Sequence, residues 1–170
     1  MREEKIRWLV EVLEGHQQWF PTSCAASGME ILLKFEKKIG LNEYPLQERY
    51  AGNNIGFEKI GDLGKWGIQV DKKECDLDIL KSRINSKSKD DKIILFSAPT
   101  ILAFDLTNRR ERFVTSNHIF VGYALSSHDE LSYQSKTHLN NEILNIHNID
   151  KLYHSVRKAN LKFLFDYVSY

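Results

Sequence analysis

This sequence predicts an α+β domain, with a helical half first and an antiparallel sheet after it. Three observations carry that prediction. Up to Ile84 the apolar residues recur mostly at helical spacing, as in Ile6, Leu9, Val10 and Leu13, or Met29, Leu32 and Leu33. From Lys92 onward they come instead in short continuous or alternating runs bounded by polar turns. Neither an internal repeat nor a linker interrupts the 170 residues, which read as a single domain over 1–170.

Residues 2–14 read as an amphipathic helix closed by Gly15. Residues 24–38 read as the second and best-defined helix, with Ala25, Met29, Leu32, Leu33 and Phe35 as its apolar content. Lys34, Glu36, Lys37 and Lys38 crowd its exposed end, and Gly40 stops it. So much apolar content marks a central, largely buried helix. Pro45 to Gly67 is mixed: Leu46–Tyr50 and Phe57–Trp66 read as short helices, and Gly52, Asn53 and Asn54 as a turn. Gly61, Gly64 and Gly67 do not lead from a strand into a helix as a phosphate loop must, so they count as turns. Ile68–Val70 reads as a short strand. Asp76–Ile84 reads as a helix with Asp76 or Asp78 near its start, and a polar surface loop follows over 85–92.

Lys92–Ser97 is a short continuous apolar run, the pattern of a buried strand. Asn117–Leu125, Leu131–Thr137 and Ile143–Ile146 read as further strands, with a turn at Ser126–Asp129. Asp150–Lys158 reads as a helix with Asp150 as N-cap, and Leu161–Val168 as a returning strand.

Composition excludes several classes of function. Lys and Arg number 24 against 23 Asp and Glu, a net charge of +1, so no global field steers the chain to nucleic acid or an anionic membrane. No apolar run approaches the roughly 18 residues of a membrane span. The charged start, Met1-Arg2-Glu3-Glu4-Lys5, leads into an amphipathic segment and not into a signal-peptide core. The expectation is therefore a cytoplasmic protein, or one exported by a route other than Sec. Two cysteines, Cys24 and Cys75, are too few for a disulfide framework, and nothing argues for a bridge between them. His128, His138, His147 and His154 lack the short repeated spacing of metal ligands, so neither a metal nor another cofactor is expected.

The chemistry concentrates at Gln18-Trp19-Phe20-Pro21-Thr22-Ser23-Cys24. A lone cysteine is usually a small buried hydrophobe. Cys24 differs in sitting where a stiff Trp-Phe-Pro turn gives way to a helix, whose positive N-terminal end favours thiolate. The small residues Ala25, Ala26, Ser27 and Gly28 follow it and allow a close approach to the sulfur. Six positions upstream, Gln18 offers a side-chain amide that can donate to an oxyanion beside the thiol. Far downstream, His118 stands at the head of the apolar strand Ile119-Phe120-Val121. A histidine there is ordinarily a strand-end surface residue, but it is also a candidate base for the thiol. Phe20 is assigned to the core, and Trp19 is divided between core and cleft wall. Arg109, Arg110 and Arg112 read as a solvated loop that also suits the rim of a site for an acidic substrate.

A cysteine opening a helix, a glutamine six positions before it, and a late histidine on a strand resemble the papain-like cysteine peptidases. Within them the likeness is to double-glycine leader peptidases, which process bacteriocins, and to staphopain-like enzymes. The resemblance implies a papain-like fold whose central helix starts at Cys24. It also implies a bacterial thiol protease that cleaves a peptide or protein substrate through Cys24 and His118, with Gln18 at the oxyanion. Deamidation, acyl transfer to another acceptor, and a degenerate domain that only binds peptide are the alternatives on the same fold. Oligomeric state is not readable from the sequence.

The third triad member departs from the pattern. Leader peptidases usually carry an Asp-Pro pair beyond the histidine, at a spacing that falls here on Gln134 and Ser135. Asp129 lies in the turn, roughly 25–35 Å of strand from His118. Folding the strands about Ser127–Leu131 instead returns position 138–140 to His118, so Asn140 becomes the expected orienting amide, 22 positions after the histidine.

Overall fold

The structure is a computed structural model that describes residues 2–20, 22–99, 117–124, 131–136, 143–146 and 165–170. It is mixed α and β, as the pattern predicts, and the chain divides into two compact units. One is built on residues 1–71 with 136–143 and Tyr170, the other on 72–135 and 144–169. Among the described residues no helix is long and apolar enough to cross a membrane.

In the first unit, α1 spans Arg2–Gly15 and α2 spans Cys24–Phe35. Leu9, Val12 and Leu13 form the buried side of α1, while Val10, expected there, is 40% exposed. The inner stripe is therefore 9, 12, 13 and then His16, whose N–H continues the ladder to the Val12 carbonyl at 2.9 Å. α2 is the core of the unit. Every residue from Ala25 to Phe35 is buried, and α1, α3 (Pro45–Tyr50) and a 3-10 helix (Phe57–Trp66) all pack on it. Burying each of its large apolar side chains contributes about 1.5–3 kcal/mol.

Two expectations about α2 need correction. Lys34, assigned to an exposed end, is completely buried, because partners from elsewhere in the chain meet its ammonium. Gly40 does not stop the helix. Lys37 does so by turning left-handed at φ 56°, with Lys38 N–H reaching the Leu33 carbonyl and Lys37 N–H the Lys34 carbonyl. That paired arrangement satisfies the last carbonyls of a helix, and Trp8 Nε1 from α1 supplies another donor to the Phe35 carbonyl at 2.8 Å.

Phe20, expected in the core, is 37% exposed. Its ring instead lies on Gly52, where an added Cβ would stand 3.1 Å from ring carbon Cγ and where φ is +83°. Only glycine suits both the close ring and that backbone angle. Thr22 Oγ1 donates to the carbonyl of the same Gly52, so the turn after α3 is pinned beneath the segment that leads to Cys24.

In the second unit, β1 is Asp71–Cys75, three residues later than the expected Ile68–Val70, because Ile68 N–H still closes the preceding 3-10 helix on the Leu63 carbonyl. α4 is Leu77–Lys89, capped by Asp76, whose carboxylate accepts from Ile79 N–H at 2.9 Å. It consumes most of the polar run expected to be a loop. Buried Ser88 donates back to the Ile84 carbonyl at 2.7 Å, and Asp91 ends the helix left-handed at φ 55° with the same pair of bonds as Lys37.

The sheet comprises β1, β2 (Ile94–Pro99), β3 (Asn117–Ala124), β4 (Leu131–Lys136), β5 (Ile143–Ile146) and β6 (Phe165–Ser169) in the order β1-β6-β2-β3-β4-β5. The four strands β6, β2, β3 and β4 pair antiparallel. Ile94, Leu95 and Phe96 are all fully buried, as a continuous apolar run in a central strand requires. α4 packs against β2, β3 and β6. It comes close over Gly122, where an added Cβ would lie 2.8 Å from Ile84 Cδ1. The expected helix over Asp150–Lys158 and the turn at Ser126–Asp129 lie outside the described residues.

Candidate active site

Cys24 is the first residue of α2 and is half-buried. Ser23, at the N-cap, makes no side-chain bond to the first turn, and no acidic residue stands in that turn to offset the positive helix end. Both Cys24 and Cys75 are thiols and not disulfide partners. Burial, followed by the neighbouring Asp76 carboxylate, pushes the Cys75 thiol up to about 11.

Gln18 is buried in the same unit, and its Nε2 donates to the Phe20 carbonyl at 2.8 Å. That carbonyl also accepts Ser23 N–H at 3.1 Å, so the loop between Gln18 and the helix start closes on itself. The whole segment from Gly15 to Trp19 is anchored by side chains from α2, α3 and the turn before α3. Tyr44 Oη accepts Gln17 N–H at 3.2 Å, and Trp19 packs on its ring with centroids 4.8 Å apart. Gln47 Oε1 accepts Trp19 N–H at 2.7 Å, and Gln47 Nε2 donates to the Gln17 carbonyl at 2.8 Å.

Behind this segment lies a buried polar network. His16 Nε2 lies 2.7 Å from Ser27 Oγ, and its Nδ1 lies 3.0 Å from Lys34 Nζ. Lys34 Nζ also stands 3.7 Å from the centre of the Tyr44 ring, a cation–π contact screened from water. One turn back on α2, Glu30 Oε2 accepts Leu46 and Gln47 N–H at 3.0 and 3.1 Å, and its Oε1 accepts Gln47 Nε2 at 2.7 Å. Pro45, at the start of α3, has no N–H, so Glu30 covers the next two and caps α3 from α2. Burial dominates this carboxyl and raises it from 4.5 to about 7, against the opposing pull of the Gln47 and Leu46 donors and the Lys34 charge.

His16, Glu30, Lys34 and Gln47 were not singled out by motif or spacing. One signal was present: His16 falls seven positions after Leu9, on the apolar stripe of α1. Glu30 and Lys34 sit four apart in an otherwise apolar helix, the spacing and order of a favourable pair.

In the second unit, His118 is the second residue of β3, its backbone paired with Ala98 of β2. The β3–β4 register is tighter than expected. Val121 faces Gln134, and not position 137 as a reversal centred on Asp129 requires. The shift follows from Ala124 pairing with Leu131, which leaves only residues 125–130 for the connection. Gln134 thus stands opposite Val121, three positions along the strand from His118. Asn140 and Asp129 lie outside the described residues. The structure places Gln18 and Cys24 together in one unit and His118 on a central strand of the other. Among the described residues no group of three or more His, Cys, Asp or Glu side chains gathers as metal ligands would. Comparison with protein-family models, curated proteins and solved structures finds no match to this chain.

Proposed function

We propose that this chain is a papain-like thiol hydrolase that cleaves a peptide or related amide bond through a thioester on Cys24. The observation that carries the proposal is the position of Cys24: half-buried, first in the buried helix α2, at the end of a loop anchored around Gln18. His118 takes the thiol proton, and the Cys24 thiolate attacks the carbonyl carbon of the scissile amide. Gln18 and the Cys24 backbone N–H donate to the oxyanion. Collapse breaks the C–N bond, and the imidazolium gives its proton to the leaving amine. His118 then takes a proton from water, whose oxygen attacks the thioester carbonyl and expels the Cys24 thiolate. Asn140 is proposed as the residue that aims the His118 ring on residue type alone, an amide sufficing where a Cys–His pair carries its own opposite charges. The β3–β4 register expected to bring it opposite His118 is not the one observed.

The test is intact-protein mass spectrometry after exposure to a peptidyl electrophile that alkylates active thiols. A single adduct on Cys24 is expected, slowed in His118→Ala and absent in Cys24→Ala. An unmodified Cys24 in the folded chain, or modification indifferent to His118, overturns the proposal in favour of a peptide-binding domain.

A further inference from the structure

We infer that Gln47, held in place by Glu30, is the positioning residue that fixes the backbone of Gln18 relative to the helix that begins at Cys24. The inference rests on the thiol hydrolase reading, in which Gln18 serves the oxyanion, and adds to it a residue from a different element.

The geometry is specific to one residue. Gln47 Nε2 donates to the Gln17 carbonyl at 2.8 Å, while its Oε1 accepts Trp19 N–H at 2.7 Å. Those two peptide groups flank Gln18 on either side, so one planar amide sets both backbone angles of Gln18 together, as a neighbouring strand would. The second N–H of Gln47 Nε2 goes to Glu30 Oε1 at 2.7 Å, and Glu30 Oε2 binds the Gln47 backbone N–H at 3.1 Å. One carboxyl therefore grips both the main chain and the side chain of Gln47. With acceptors at Gln17 and Glu30 on one side and a donor at Trp19 on the other, only one orientation of the Gln47 amide satisfies all three. Glu30 belongs to α2, six residues after Cys24, so the chain of bonds runs from the helix of the nucleophile to the backbone of Gln18. Gln47 and Glu30 are both buried, so the bonds between them are shielded from water.

Two reactions of Cys24 separate this role from a structural one. Acylation by p-nitrophenyl acetate passes through an oxyanion and uses Gln18, whereas alkylation by iodoacetamide has no oxyanion. Gln18→Ala should lower the acylation rate by about 10²–10³-fold and leave alkylation unchanged. Gln47→Ala should lower acylation by about 10–100-fold, the effect of a small misplacement, again with alkylation unchanged. Added to Gln18→Ala, it should produce no further loss, because Gln47 acts through Gln18. Should Gln47→Ala melt below the assay temperature, Gln47→Met keeps the length without either polar atom and carries the comparison. If Gln18→Ala slows acylation but both Gln47 variants acylate at the native rate, the inference is overturned and the function reading stands. Equal slowing of acylation and alkylation, or loss of the fold in both variants, makes Gln47 a stability residue and also overturns it. If Gln18→Ala itself acylates normally, the oxyanion role of Gln18 falls first.

Discussion

Lys34 reaches His16 across eighteen positions of sequence, its Nζ 3.0 Å from the imidazole Nδ1, with both residues completely buried. Carried as an ammonium, Lys34 has only hydrogens to give, which casts Nδ1 as the acceptor and puts the ring proton on Nε2, towards Ser27 Oγ. The contact ties the end of α1 to the last turn of α2.

Replacing Lys34 by Met keeps the stem and removes the ammonium. The bond to His16 and the cation–π contact with Tyr44 both disappear, and the unfolding free energy should fall by about 1–3 kcal/mol. Urea denaturation followed by circular dichroism measures this. An unchanged midpoint would mean that the ammonium contributes nothing.

Glu30 makes stability depend on pH. Its carboxyl stands at about 7 in the folded chain, against an ordinary 4.5, because burial penalises the charge. Between those values the folded chain holds a proton that the unfolded chain has released. The contribution of Glu30 to stability is therefore greatest below about 4.5 and declines as the pH rises towards 7. The shift corresponds to about 3 kcal/mol of stability lost between pH 4.5 and 7. Denaturation of the native protein and Glu30→Gln at pH 5 and pH 8 isolates this contribution, since the variant should lose that part of the pH dependence. Parallel pH profiles for the two proteins would refute it.

The two thiols should differ in reactivity. With Cys75 raised to about 11 and buried, only about one of its thiols in ten thousand is ionised at pH 7. Cys24 is half-buried at a positive helix end. Iodoacetamide should therefore label Cys24 first at neutral pH, as peptide mapping against time can show. Equal rates in the folded protein would remove the case for an activated Cys24.

Gly122 tests how closely α4 sits on β3. A Cβ there would lie 2.8 Å from Ile84 Cδ1 and 3.4 Å from Phe96 Cε1, so Gly122→Ala forces Ile84 off its rotamer or lifts the helix. A loss of about 1–3 kcal/mol is expected. Ile84→Val shortens the offending branch and should recover part of it in the double variant. Additive losses in the double variant would show that the two do not meet.

Sequence alone determined the elements whose signals are local. Helix α2 begins at Cys24 because a stiff turn and then small and apolar residues precede and follow that point, and Asp76 caps α4 because its carboxylate reaches Ile79 N–H three residues on. The run from Ile93 to Phe96 is buried as its unbroken apolar character implies. Tertiary structure alone decided what happens to the charges. Nothing in the period of α2 distinguishes Lys34 from Lys37, yet one is sealed inside with His16 and Tyr44 while the other turns the helix off at φ 56°. A buried charge is tolerated only where partners converge on it, and those partners, Lys34 with His16 or Glu30 with Gln47, come from turns and helices far apart in the chain. The hairpin register was likewise beyond local reading. Turn residues indicate that the chain reverses, but not where the strands on either side of the reversal come into register, which here pairs Ala124 with Leu131.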